Sequence, residues 1–111
     1  MTHALPADAP DCIDLDTLLA NATGELGRLA GLAGALDETL GDWLLTHSGG
    51  TRPPIDLLQN ADLLRQSVEC LERLFRNLTE QGITSSCVPS AALIEGVFLE
   101  SIRVACLSPP D

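Results

Sequence analysis

The chain has 111 residues, a length that predicts a single domain with a small core. The chain contains sixteen acidic residues, six arginines and no lysine, which gives a formal charge of −10. This balance argues against nucleic-acid binding, which needs clustered cations, and the lack of lysine excludes P-loop and Schiff-base chemistry.

The composition favours helices over sheets. Hydrophobic residues make up 45% of the chain but aromatic residues only 3%, and most of the apolar residues are leucine and alanine. Leucine and alanine are strong helix formers, whereas strands are enriched in β-branched and aromatic residues. The sequence therefore predicts an all-α protein.

The first ten residues contain two prolines among small residues, so residues 1–10 are predicted to be a disordered arm. They show no basic and apolar pattern of a signal peptide, and no apolar run approaches the length of a membrane span. Four cysteines lie tens of residues apart without zinc spacing, and are expected to be reduced thiols: Cys12, Cys70, Cys87 and Cys106. These features predict a cytoplasmic protein that binds neither membranes, metals nor cofactors.

The first helix is predicted over residues 14–47. Asp11, Asp14 and Asp16 crowd its start, where carboxylates favour a helix N-terminus; the glycine and glutamate of a calcium loop are absent there. An apolar series then alternates spacings of four and three: Leu15, Leu19, Ala22, Leu26, Leu29, Ala33, Leu36, Leu40, Trp43 and His47. A helix this long indicates an elongated bundle.

Five glycines lie on the side of the first helix that faces away from this series: Gly24, Gly27, Gly31, Gly34 and Gly41. One explanation is that another helix backbone approaches closely there. The alternative is a solvent-exposed face without packing constraints, or a break near residues 21–24.

The second helix is predicted over residues 55–81. A short loop through Ser48, Gly49 and Gly50 makes it the antiparallel neighbour of the first helix. We expect Asp56 and Gln59 to form a capping box and Gly82 to be the C-cap, with Ile83 packed on Leu78.

Residues 84–90 are predicted to be a linker, followed by short helices over 90–96 and 99–107 and a tail over 109–111. Ser90 is the expected N-cap and Gly96 the expected break. A strand over 97–104 is the alternative, although no second strand is predicted to pair with it.

A wide apolar arc on the second helix predicts more packing than its hairpin partner can provide. The predicted packing and dimer face comprises Leu57, Asn60, Ala61, Leu63, Leu64, Ser67, Val68, Cys70, Leu71, Leu74, Phe75 and Leu78. Asn60 is a candidate for specifying register, because a buried asparagine at a helix seam selects partner and alignment. We therefore expect two hairpins to associate as a homodimeric four-helix bundle.

Few residues suggest chemistry. His47, at the end of the first helix, is a weak candidate for a phosphotransfer histidine, and its ordinary role is capping or stacking on Trp43. Asp62, Gln66, Glu69 and Arg73 are typical of a solvated stripe, and the glycosylation-like triplets at Asn21 and Asn77 are expected to be chance matches.

The sequence favours a non-catalytic, acidic interaction protein, such as an adaptor, a regulator or a chaperone-like partner, which binds itself and another protein. One alternative is a histidine phosphotransfer protein that uses His47. The other is a helical bundle that binds a hydrophobic ligand in a cavity between its helices.

Overall fold

The computed structural model describes residues 5–6, 9–46, 53–82 and 85–109. Its elements are β1 (Cys12–Asp14), α1 (Leu15–Thr46), α2 (Ile55–Gln81), β2 (Cys87–Pro89), α3 (Ser90–Leu93) and α4 (Glu100–Leu107). The chain is predominantly helical, which confirms the prediction from composition, and it extends 56 × 29 × 25 Å. No helix in the described ranges is both long and apolar enough to cross a bilayer.

Helices α1 and α2 form the predicted antiparallel hairpin. At one end, the Leu15 N–H donates to the Ser86 carbonyl oxygen, N···O 2.7 Å, so the start of α1 lies beside the segment that follows α2. At the other end, Leu40 shares a groove with Leu57, near the start of α2. The 32 residues of α1 extend about 48 Å at the α-helical rise. The loop predicted through Ser48 to Gly50 lies outside the described residues.

Helix α2 begins and ends where the sequence predicts, but the predicted capping box at its start is absent. Gly82 is the C-cap with φ +72°, and its N–H donates to the Thr79 carbonyl oxygen; Ile83 lies outside the described residues. At the start, Pro54 is the N-cap and its carbonyl oxygen accepts from the Leu57 N–H at 3.1 Å. The predicted capping box is wrong because Asp56 already lies inside the first turn, where its charge favours the helix dipole.

A two-stranded antiparallel ribbon, β1 with β2, replaces part of the predicted linker over 84–90. Ile13 lies opposite Val88, and both side chains are buried. Two strands of three residues are too short to produce a readable alternation. The expectation that Ser90 would be an N-cap is also wrong, because the Ser90 N–H extends the ribbon by donating to the Asp11 carbonyl oxygen and Pro89 is the N-cap of α3.

Cys12 and Cys87 form a disulfide across this ribbon, with their Cα atoms 5.7 Å apart. The expectation of four reduced thiols is therefore wrong for this pair, because the ribbon brings together residues separated by 75 positions. Cys70 and Cys106 are free and buried.

The C-terminal part of the fold is helical where a strand was the alternative. Val97 and the two residues after it form no regular structure, and α4 begins at Glu100, so the strand over 97–104 is absent from the described chain. Gly96 interrupts the helical structure as predicted, with φ +80°. The positive φ turns the chain between α3 and α4 and folds α4 back onto α1.

The core lies at the end of the hairpin that carries the ribbon. Its cluster of buried side chains comprises Ile13, Leu18, Leu29, Cys70, Leu71, Leu74, Leu78, Val88, Leu93, Ile94, Val97, Ile102, Cys106 and Leu107. Leu5 and Ala9, from the segment predicted to be a disordered arm, pack half-buried against this cluster. Positions 1–4 and 7–8 of that arm and residues 110–111 of the predicted tail lie outside the described residues.

Two asparagines fasten residues 85–109, the C-terminal segment, to the hairpin. The Asn77 side-chain amide on α2 donates to the carbonyl oxygens of Leu93 and Glu95, both at 2.8 Å. The Asn21 amide on α1 donates to the carbonyl oxygens of Cys106 and Ser108, both at 2.9 Å. Carbonyls at helix C-termini lack partners within the helix, so each asparagine satisfies the end of one short helix. The asparagines of both glycosylation-like triplets therefore have structural roles.

We predict that Asn77→Ala lowers the free energy of unfolding by about 2 kcal/mol, because it removes the donor to the buried Leu93 carbonyl oxygen and leaves the Glu95 carbonyl oxygen with Arg73 alone. Asn60→Ala, on the same helix but exposed, is the matched control and should change it by less than about 0.5 kcal/mol. Urea denaturation of both variants measures the difference. Equal effects would contradict the role assigned to Asn77.

Candidate interaction surface

The twelve residues of the predicted packing and dimer face fall into three groups. Buried within the chain itself are Leu57, Ser67, Cys70, Leu71, Leu74 and Leu78; half-buried are Leu64 and Phe75; exposed are Asn60, Ala61, Leu63 and Val68. The C-terminal segment covers much of the arc, because Asn77 holds α3 against this side of α2.

Helix α1 buries a strip that includes Ala22 and Leu29 of the predicted series but is rotated toward Leu18 and Glu25, which lie outside that series. Leu18, Ala22, Glu25 and Leu29 are buried, whereas Leu26, inside the predicted series, is 47% exposed. The reason is that α4 packs on the side of α1 that carries Asn21, which sequence periodicity could not indicate. Part of the predicted series on α1 is therefore left exposed.

This uncovered strip consists of Leu19, Leu26, Ala33 and Leu40, which recur every seven residues and share one face of α1. All four are exposed. Repeats of seven are typical of helices that pack against another helix over several turns.

Helix α2 continues the same surface. An apolar groove of about 320 Å³ runs between the helices, lined by Ala33, Leu36, Asp37, Leu40, Pro53, Leu57, Leu58 and Ala61. Val68 follows Ala61 by seven residues and is 50% exposed. We call Leu19, Leu26, Ala33, Leu40, Ala61 and Val68 the open face.

A second groove, of about 340 Å³, lies on the other side of the hairpin and shares Leu36 and Leu57 with the first. Asn60 lines it. Ser67, the other polar residue within the predicted arc, is fully buried, and its hydroxyl has no hydrogen-bond partner among the described residues. The two polar residues of the arc thus occupy different environments, one at a groove and one in the core.

The polar stripe of α2 is solvated, as its spacing predicts. Arg65 donates to Asp62 at 2.8 Å and to Glu69 at 2.6 Å, and all three side chains are more than half exposed. These hydrogen bonds lower the pKa of the Asp62 carboxyl and raise the pKa of Arg65. Exposed ion pairs of this kind contribute little stability. The stripe is therefore a solvated surface and not a packing face.

The free thiol between α1 and α4 is unsuited to nucleophilic chemistry. Burial, reinforced by the nearby Glu25 carboxylate, raises the pKa of Cys106 to about 12. The thiolate is the reactive form of cysteine, so this thiol is inert near neutral pH. Glu25 itself accepts hydrogen bonds from Arg28, the shorter at 2.5 Å.

No group of three or more potential metal ligands occurs among the side chains that the structure describes. His47, the candidate phosphotransfer residue, and His3 lie outside the described residues. Comparison of the chain with protein-family models, curated proteins and solved structures finds no match. The open face and its groove are therefore the candidate functional site.

The glycine stripe of α1 is a second surface without cover. A Cβ atom added at Gly24, Gly27, Gly31, Gly34 or Gly41 would meet no described atom within 4 Å apart from the adjacent residues and the backbone of its own helix. No described helix backbone approaches this face, which favours the explanation of a solvent-exposed stripe.

We predict that Gly34→Ala raises the free energy of unfolding by about 0.5 to 1 kcal/mol, because alanine restricts the unfolded chain and favours the helix. Gly96→Ala should instead lower it by at least about 1 kcal/mol, because φ is positive and the new Cβ would lie 2.8 Å from Arg73 Nε. Thermal and urea denaturation measure both. A loss of stability in Gly34→Ala would indicate that a partner packs on the stripe.

Proposed function

We propose that the chain is a non-catalytic interaction protein that acts as a homodimer, in which the open faces of two hairpins pack into a four-helix bundle. The observation that carries this proposal is the uncovered series Leu19, Leu26, Ala33 and Leu40. Apolar residues recur there every seven positions, and the three leucines among them remain 40% to 47% exposed. Burying each leucine contributes about 1.5 to 3 kcal/mol.

A second copy suits this surface for two reasons. A two-fold interface requires one patch that is complementary to itself. The open face combines projecting side chains, such as Leu26 and Val68, with a hollow between Ala33 and Ala61 that receives projections. The open face is also almost uncharged, which suits a strongly acidic chain, because two copies with charged faces would repel one another.

The proposed dimer would act as a scaffold for another protein, as an adaptor, regulator or chaperone-like partner does. In the dimer the glycine stripe, the solvated stripe of α2 and the second groove all remain accessible. We retain the cytoplasm as its proposed location. Disulfides in that compartment are usually transient or redox-sensing. In the cytoplasm Cys12–Cys87 would therefore be a disulfide of this kind.

The groove supports a second candidate function, the binding of an apolar ligand. Its volume of about 320 Å³ lies at the lower end of ligand sites, and its lining is almost entirely aliphatic. Ala33, Leu40 and Ala61 belong to both the groove and the open face. A ligand would therefore compete with the second copy for the same residues.

We predict that the parent protein sediments at low micromolar concentration with twice its chain mass of 11.7 kDa. Leu26→Glu and Val68→Glu should each produce folded monomers, because a buried unpaired carboxylate is strongly unfavourable in an interface. Leu45→Glu is the matched control: Leu45 is 87% exposed and lies outside the open face, so this variant should stay dimeric.

Circular dichroism of the three variants establishes that helicity is retained. A monomeric parent protein at this concentration would contradict the proposal, as would loss of the dimer in Leu45→Glu with retention in Leu26→Glu.

A further inference from the structure

The Cys12–Cys87 disulfide lies at the surface of the ribbon. Ile13 and Val88 point into the core, while the two cysteines between which the bond forms are exposed on the opposite side. A small dithiol can therefore reach the bond without unfolding of the helices. This accessibility distinguishes the disulfide from the free thiols of Cys70 and Cys106, which are buried and cannot exchange with it in the folded chain.

The ribbon that carries the disulfide is small. Each strand has three residues, and beyond them the pairing is extended by the Leu15 N–H to Ser86 and by the Ser90 N–H to Asp11. A two-stranded pairing is marginal in water without further support. Leu5 and Ala9 precede β1 and pack on the core behind it. The covalent bond therefore helps to hold the described part of the N-terminal segment, residues 5–6 and 9–14, in place.

The remainder of the molecule is fastened by contacts that do not involve the disulfide. Asn21 holds the end of α4 on α1, and Asn77, together with Arg73, holds Glu95 on α2. Helices α1 and α2 contribute Leu18, Leu29, Leu71 and Leu74 to the common core. Cleavage of the disulfide consequently removes the constraint on the ribbon and leaves the hairpin and the C-terminal segment connected.

We propose that Cys12–Cys87 is a reversible redox latch, which closes the N-terminal segment over the core when oxidised and releases it when reduced. A dithiol supplies two electrons and two protons: the Sγ–Sγ bond breaks, two cysteine thiols form, and the dithiol becomes a disulfide. A low-molecular-weight disulfide reverses the step by two thiol–disulfide exchanges, which return two thiols of the small molecule.

Release of this segment uncovers Val88, whose strand then presents an unpaired edge beside apolar core side chains. This inference does not depend on the homodimer, which uses a different set of residues.

Hydrogen exchange of the oxidised and dithiol-treated full chain tests the latch. We expect the Leu15 and Ser90 amides, which donate across the ribbon, to exchange about tenfold faster or more after reduction. Amides in the middle of α1 and α2 should keep their protection. Treatment with oxidised glutathione should restore the slow exchange, and mass spectrometry counts the two thiols gained and lost.

The double variant with Cys12→Ser and Cys87→Ser is the control, and it should exchange like the reduced parent and ignore the dithiol. Unchanged exchange at Leu15 and Ser90 on reduction would overturn the latch. Loss of protection throughout the helices would also overturn it, because the disulfide would then be a global staple. Neither outcome bears on dimer formation, which sedimentation measures separately.

Discussion

The structure depends on how little chain is available to cover a long helical hairpin. Helices α1 and α2 contain 32 and 27 residues, whereas α3 and α4 contain 4 and 8. Two helices in contact each bury one strip, and a globular fold needs further layers on both sides. The C-terminal segment supplies a layer on one side only and is held there by Asn21 and Asn77. The other side remains the open face.

This asymmetry places three structural features in different parts of the molecule. The core and the ribbon occupy one end, where the disulfide is exposed and the N-terminal segment packs. The apolar groove lies toward the other end, between Leu40 and Leu57. The open face extends along α1 and α2 and includes part of this groove. In the two proposals the hairpin presents the open face to a second copy and carries the N-terminal segment away from that face.

The features predicted correctly from sequence are those that periodicity and glycine chemistry specify. The positions of α1 and α2, the C-cap at Gly82 and the break at Gly96 follow from helix spacing and from backbone positions that favour glycine. The burial of Glu25 in place of Leu26 could not be predicted, because the buried side of α1 depends on where α4 packs. The position of α4 depends in turn on a hydrogen bond between residues 85 positions apart. The ribbon and its disulfide were missed for the same reason, since two strands of three residues carry no periodic signal and their pairing is a long-range contact. Asn21 and Asn77 had a local signal, a polar residue beside an apolar strip, but their partners lie in another element.

The decisive measurement of the homodimer is the thermal unfolding midpoint as a function of protein concentration, because association with a second copy stabilises the folded state by mass action. Dimerisation through the open face should raise the midpoint steadily as the chain is concentrated from the nanomolar to the high micromolar range. A midpoint that stays constant across this range would contradict it, and would mean that the open face is stable in water without a partner.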